Sequence, residues 1–231
     1  SYTAPDDVSA AVWLENFVST FVQRDLPGLG TSVSPESIYR FWRMLSHVHG
    51  QLFNASQLGN ALGGASHTTV TRYLDLLVDT LLVRRLEAHF VNVGKRLVKS
   101  HKVYLRDSGV LHSLLGIRTV DDLQGHPVAG ASWEGFVIEQ IAGLAPAGAA
   151  LSFYRTAAGA ELDLVVEAGR RKLGFEIEFS AAPAVTKGFW TALQNLNVDH
   201  AFVVAPVERG YPLAEGVEVV PVQALPGLLS R

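Results

Sequence analysis

Apolar residues in the first half of the chain recur at helical spacing. Over residues 8–22 they fall at Val12, Trp13, Phe17, Val18, Phe21 and Val22, one buried stripe of an amphipathic helix. Pro27, Gly28 and Gly30 end it. Ser34-Pro35-Glu36 gives the next helix a cap and a proline in its first turn. Its stripe is Ile38, Phe41, Trp42, Leu45 and Val48, and Gly50 closes it. Residues 54–63 predict a short helix ended by glycines. Ser66 caps another, with Thr69, Val70, Tyr73, Leu74, Leu77 and Val78 along it. Residues 81–86 and 102–105 read as strands, residues 107–116 as a short helix, and the polar stretch 119–130 with Pro127 as a linker.

The order helix, short helix, helix, two strands is the outline of a winged helix. Beyond the linker the period changes. Residues 132–141 begin an amphipathic helix, after which residues 151–155, 161–167 and 172–179 alternate or run apolar like strands. A helix near 186–196 and strands at 201–204 and 217–222 complete an order αβββαββ. A helix between strands implies a crossover and a mixed sheet. The expected fold class is α/β (α+β overall), with a helical winged-helix domain over residues 1–125 and a mixed-sheet domain over residues 126–231.

Composition narrows the functional classes. The chain has 231 residues, 48% hydrophobic and 18% charged, as in a globular protein. A net charge of -3 supplies no global attraction to nucleic acid, so such binding needs a local patch. The absence of cysteine excludes disulfides and thiolate metal sites and fits a reducing cytoplasm, the expected location. No apolar run approaches the ~18 residues of a membrane span, and no signal peptide opens the chain. Ser1-Tyr2-Thr3-Ala4-Pro5 lacks an initiator Met, so the chain reads as a fragment.

The strongest chemical signal is a set of carboxylates on two strands. Glu161 and Asp163 share a face of one strand, and Glu176 and Glu178 share a face of the next, because side chains alternate with period two. Glu134, on the preceding helix with Glu139, is placed to close the group. One Asp followed by Glu-x-Lys a hairpin later is the metal-binding pattern of restriction-endonuclease-like folds. Glu134, Asp163 and Glu176 would then hold Mg²⁺ or Mn²⁺ through hard oxygen ligands, and the metal would activate water against a phosphodiester. Glu178 stands where the pattern requires Lys, bringing negative charge beside the phosphate. Lys187, opening the next helix, is the better candidate for a relocated cation, and Lys172 lies too far back along its strand. The expected catalytic set is therefore Asp163, Glu176, Glu178 and Lys187. The alternative is solvated strand carboxylates that protect a sheet edge.

A second signal lies between Arg84 and Arg106. Arg84, Arg85, Lys95, Arg96, Lys99, Lys102 and Arg106 stand against Glu87 alone, a local surplus of basic charge in an acidic chain. With Thr68, Thr69 and Arg72 at the start of the preceding helix, Arg84, Arg85, Lys95, Arg96 and Lys99 form the expected DNA-binding set. Solvated wing charges, or docking of a protein, explain the same pattern. The eight histidines show no His-Glu-x-x-His spacing, no Gly-x-Ser-x-Gly occurs, and Trp13, Trp42, Trp133 and Trp190 are expected in the core.

Several runs carry a resemblance: Gly94-Lys95-Arg96-Leu97-Val98-Lys99-Ser100, Val103-Tyr104-Leu105-Arg106-Asp107-Ser108-Gly109, Gly130-Ala131-Ser132-Trp133-Glu134-Gly135-Phe136-Val137, and Phe153-Tyr154-Arg155-Thr156 with Gly159-Ala160-Glu161-Leu162-Asp163. From about Trp13 to Pro221 the chain resembles the C-terminal region of prokaryotic AAA+-type ATPases, the domain-of-unknown-function family 4143. The resemblance implies an N-terminal P-loop ATPase module, then a winged helix, then a PD-(D/E)XK domain. This sequence has no Gly-x-x-x-x-Gly-Lys-Ser/Thr, so no nucleotide cofactor is expected through a Walker site. The leading expectation is a non-catalytic module of such an ATPase that binds DNA or a protein partner. The rivals are a metal-dependent DNA endonuclease and a purely structural assembly domain.

Overall fold

The computed structural model describes residues 6–28, 33–89 and 100–229. The fold is α+β, with helices concentrated toward the N-terminus and one mixed sheet of eight strands in the order β2-β1-β3-β4-β5-β6-β8-β7. The elements are α1 (Asp7–Thr20), a π-helical turn (Phe21–Asp25), α2 (Leu26–Gly28), α3 (Pro35–Ser46), α4 (Ala55–Ala61), α5 (His67–Asp79), β1 (Val83–Ala88), β2 (Lys102–Leu105), α6 (Ser108–Leu115), α7 (Val120–Gln124) and α8 (Ala129–Leu144). There follow β3 (Ala150–Arg155), β4 (Glu161–Ala168), β5 (Arg171–Ile177), α9 (Lys187–Leu196), β6 (His200–Val204), β7 (Tyr211–Ala214), β8 (Val217–Val220), a 3-10 turn (Val222–Ala224) and α10 (Leu225–Leu229). Among the described residues no helix is long and apolar enough to cross a membrane.

The chain forms two compact units that interleave in sequence. The first takes the described residues up to Arg85 and then Val103–Ser132. The second takes those of Leu86–Lys102 and the chain from Trp133 onward.

In the first unit, the Ser34 hydroxyl accepts a hydrogen bond from the Ser37 N–H at 3.2 Å, with Pro35 leading α3. The Ser66 hydroxyl accepts one from the Thr69 N–H at 3.1 Å and starts α5. The stripes of these helices meet in a core with Ile38, Phe41, Trp42, Leu45, Val70, Leu74 and Leu77 fully buried. The stripe expected over residues 8–22 divides. Phe21 meets Trp42 edge-on at 5.6 Å, whereas Trp13 is 52% exposed, so it stacks on Phe17 rather than entering the core. The expected strand from residue 81 starts later, because Leu81 turns the chain with φ at +60°. The stretch taken as a linker contains α7, begun by a reciprocal capping box between Thr119 and Asp122.

In the second unit, β1 runs parallel to β3, β5 to β6 and β6 to β8. The β3–β4, β4–β5 and β7–β8 pairs are antiparallel. The β4–β5 hairpin turns at Gly169, whose φ of +62° suits glycine. Phe189, Ala192 and Leu196 of α9 pack with Leu162, Val165, Val203 and Val219 in a continuous core. β7 adds a strand to the expected order. All four of its residues are exposed, so it carries no alternation for a sequence reading to detect.

Candidate functional site

The β4–β5 register runs from Ala168 opposite Arg171 to Leu164 opposite Phe175; continued by one residue, it sets Asp163 opposite Glu176. Asp163 Oδ2 accepts a hydrogen bond from the Ile177 N–H at 3.0 Å, which fixes the carboxylate at the end of the hairpin. β5 stops at Ile177, and Glu178 follows with its N–H donated to the Val204 carbonyl at 3.0 Å.

The cation among these carboxylates comes from elsewhere in the sequence. Lys102, the first residue of β2, donates from Nζ to Glu134 Oε1 at 3.1 Å. The same nitrogen lies 3.5 Å from Glu161 Oε1 and 3.6 Å from Asp163 Oδ1. Its side chain is 5% exposed, and its ammonium stands 5.5 Å from the centroid of the Phe153 ring. An ammonium has three protons, and here three carboxylates surround it. Arg155 adds a second cation, 3.4 Å from Glu161 Oε2.

Burial and crowding move the titrations in opposite directions. Burial alone would depress Lys102, but Glu134, Asp163 and Glu161 together outweigh it and hold the ammonium above the usual lysine range. Burial, then the Glu134 charge, pushes the Asp163 carboxyl up to about 7 against the pull of Lys102. Burial, then the charges of Asp163, Glu178 and Glu161, pushes Glu176 up to about 9. Burial also raises Glu178. Glu176 Oε2 is enclosed without a hydrogen-bond partner, a setting that disfavours the charged form.

The oxygen donors expected for Mg²⁺ or Mn²⁺ are of the right chemical type, but their arrangement does not fit that ion. Lys102 occupies the space between Glu134 and Asp163, and the second Asp163 oxygen is held by a backbone N–H. Among the described residues no group of three or more Asp, Glu or His side chains is disposed to hold a metal.

Lys187 lies exposed in the first turn of α9, and Lys172 pairs with Glu167 at 3.1 Å. Neither supplies the cation of the cluster, which sequence spacing had suggested for Lys187. Lys102 escaped the sequence reading because it was grouped with the basic stretch of the expected wing. Its one signal was a lone lysine opening the apolar run Val103-Tyr104-Leu105, where a strand was expected to be buried.

The expected DNA-binding residues are less uniform in setting than in sequence. Thr68 and Arg72 are exposed on the first turns of α5, while Thr69 is half-buried and its hydroxyl meets Ser66 Oγ at 2.9 Å. Arg85 is paired with Asp75, and Arg84 is half-buried beside it on β1. Lys95, Arg96 and Lys99 lie outside the described residues.

Comparison with known proteins divides the chain in a similar place. The family Domain of unknown function (DUF8612) matches residues 1–121, and the family Domain of unknown function (DUF4143) matches residues 129–225. The resemblance to family 4143 therefore covers the second part of the chain rather than nearly all of it. Two curated relatives, the uncharacterized protein Rv2008c of Mycobacterium tuberculosis and the uncharacterized protein Mb2031c of Mycobacterium bovis, are each 43% identical over 221 residues. Each alignment covers 96% of this chain and 50% of the relative, so the chain spans about half the length of the curated relatives it matches. A crystal structure of protein VC1899 from Vibrio cholerae aligns over 96% of this chain and 55% of that one, at 13% identity and a TM-score of 0.29.

Proposed function

We propose that this chain, which belongs to the family Domain of unknown function DUF8612, is a non-catalytic DNA-binding module of a larger prokaryotic AAA+-type ATPase. In this reading α3, α4 and α5 make the helices of a winged helix. The second unit is a PD-(D/E)XK fold whose site is closed by an ammonium from its own chain, and the protein works in the cytoplasm. One observation carries the non-catalytic part: Lys102, 5% exposed, has three carboxylates within 3.6 Å for its three protons. The ammonium hydrogen-bonds Glu134 and is ion-paired with Glu161 and Asp163, so it is engaged by its own chain rather than held free for an attacking water or a phosphate oxygen. Its positive charge also opposes entry of a divalent cation between the same oxygens. DNA contact is assigned to the first unit because Thr68 and Arg72 stand exposed at the start of α5, the end of a helix that suits phosphate. The link to an ATPase rests on the resemblance of the second part of the chain.

The test is a duplex-DNA binding and cleavage assay with Mg²⁺ or Mn²⁺. We expect binding that weakens steeply between low and moderate salt, a loss of about 1 kcal/mol or more in Arg72→Ala, and no cleavage. Metal-dependent cleavage that disappears in Asp163→Asn overturns the proposal. It would establish a nuclease in which Lys102 is the relocated lysine, a second reading favoured by the presence of a lysine at these carboxylates.

A further inference from the structure

Helix α3 of the first unit has two unlike faces. Ile38, Phe41, Trp42 and Leu45 are sealed in the core. Glu36, Tyr39, Arg40, Arg43, Met44 and His47 follow one another at three- and four-residue steps away from it. These six line a groove of about 610 Å³ whose other wall includes Ala61, at the end of α4. From Glu36 to His47 the groove follows the helix for roughly 16 Å. Glu36 and Arg40 also line an adjoining groove of about 370 Å³, which reaches Ala65 in the α4–α5 turn and Tyr73 of α5. Tyr39 is 41% exposed. Tyr73 is half-buried, its ring held edge-on against Phe41 at 5.7 Å.

The cations of this groove are uncommitted. Elsewhere in the first unit Arg24 pairs with Asp25, Arg85 with Asp75 and Arg118 with Glu15. Among the described residues Arg40 and Arg43 form no ion pair, although Glu36 stands four residues before Arg40 on the same face. Arginine is always charged, so two fixed positive charges stand against one carboxylate. A free guanidinium presents a planar fork of donors that matches phosphate oxygens. An acidic peptide would satisfy these forks but leave the tyrosines unused. A duplex keeps its base faces stacked inside. A single strand offers phosphates and open base faces together, and grooves that combine cations with aromatic rings bind it.

We propose that this groove on α3 binds single-stranded nucleic acid. Arg40 and Arg43 hold successive phosphates, Tyr39 stacks a base between them, and His47 adds a donor at the far end. The residues differ from Thr68 and Arg72 at the start of α5, and the proposal does not rest on duplex contact there.

The test is fluorescence anisotropy of a labelled deoxythymidylate oligomer of about 12 nucleotides, titrated with the full chain at several salt concentrations. We expect binding that weakens with salt. In the double variant Arg40→Gln, Arg43→Gln the slope of log affinity against log salt should become shallower by about 1.4, about 0.7 for each lost phosphate contact. Tyr39→Ala should weaken binding about tenfold, the scale of one stacked base. Arg72→Ala should leave it unchanged, which separates this groove from the duplex contact. All three groove side chains are exposed, and unchanged thermal melting verifies the fold of the variants. Failure to bind the oligomer overturns the proposal, as does an unchanged salt slope in the double variant. A loss in Arg72→Ala as large as in the double variant also overturns it, placing the strand on α5. Displacement of the oligomer by an equal concentration of a glutamate peptide overturns it in favour of an acidic protein.

Discussion

Lys102 is the residue on which the candidate site turns. Its ammonium is nearly sealed from water, and only the surrounding carboxylates make that burial tolerable. Removing one partner of such a group costs far more than the intact group contributes, because the remaining charges stay buried and unpaired. Lys102→Met is expected to destabilise the second unit by about 3–5 kcal/mol in urea denaturation, and Asp163→Asn in the same chain should restore part of the loss. A neutral Lys102→Met would show that water screens the cluster. The carboxylate half of this site was legible in the sequence, because two-residue spacing on a hairpin puts Glu161 with Asp163 and Glu176 with Glu178. The cation was not. Lys102 precedes Glu134 by 32 residues, and only the tertiary fold brings it close.

At the scale of elements, the long helices and most strands follow from periodicity. Pro35, Ser66 and the stripes of α3 and α5 are visible in the sequence and behave as expected. The elements that periodicity missed are those decided by packing or by the backbone. The π-helical turn Phe21–Asp25 and the short α2 carry the chain from the stripe over residues 8–22 to the expected stop at Pro27 and Gly28, and β7 is an exposed strand held by β8. The turn between α4 and α5 depends on Gly59, whose carbonyl accepts from the N–H groups of both Gly64 and Ala65 at 3.0 Å. A Cβ on Gly59 would lie 2.3 Å from the Ala65 carbonyl oxygen, a backbone atom that cannot turn aside. Gly59→Ala should therefore cost about 1–3 kcal/mol and displace the start of α5. Chemical denaturation measures the cost. If α5 contacts DNA, the same variant loses DNA affinity while its far-ultraviolet spectrum stays near that of the parent.

For the whole molecule, the two units carry opposite acid–base liabilities. In the first, burial holds His49 down to about 4. Its Nδ1 accepts the Leu105 N–H at 3.0 Å, which leaves Nε2–H to donate to the Ala131 carbonyl at 3.1 Å. The unfolded chain binds a proton on this ring near pH 6.5, before the folded chain does. Stability is therefore full above that pH and is lost as pH falls through about 4, by about 3 kcal/mol in all. In the second unit Asp163 and Glu176 are raised, to about 7 and about 9. Their neutral forms suit the fold, so stability is greatest below the unfolded value near 4 and declines as pH rises through the two raised values. Calorimetry from pH 4 to 9 should show one transition strengthening with pH and another weakening. Glu176→Gln should flatten the second, and transitions that move together would contradict the assignment.

Because strand β1 and Lys102 belong with the sheet although they precede the polar stretch at 119–130, an expression clone begun at that stretch would not contain a complete second half. It would lack the strand that pairs with β3, opening a sheet edge to other chains, and it would strand three carboxylates without their ammonium. A soluble fragment must therefore reach back past Leu86, and aggregation of shorter pieces would reflect where the gene was cut rather than any instability of the protein.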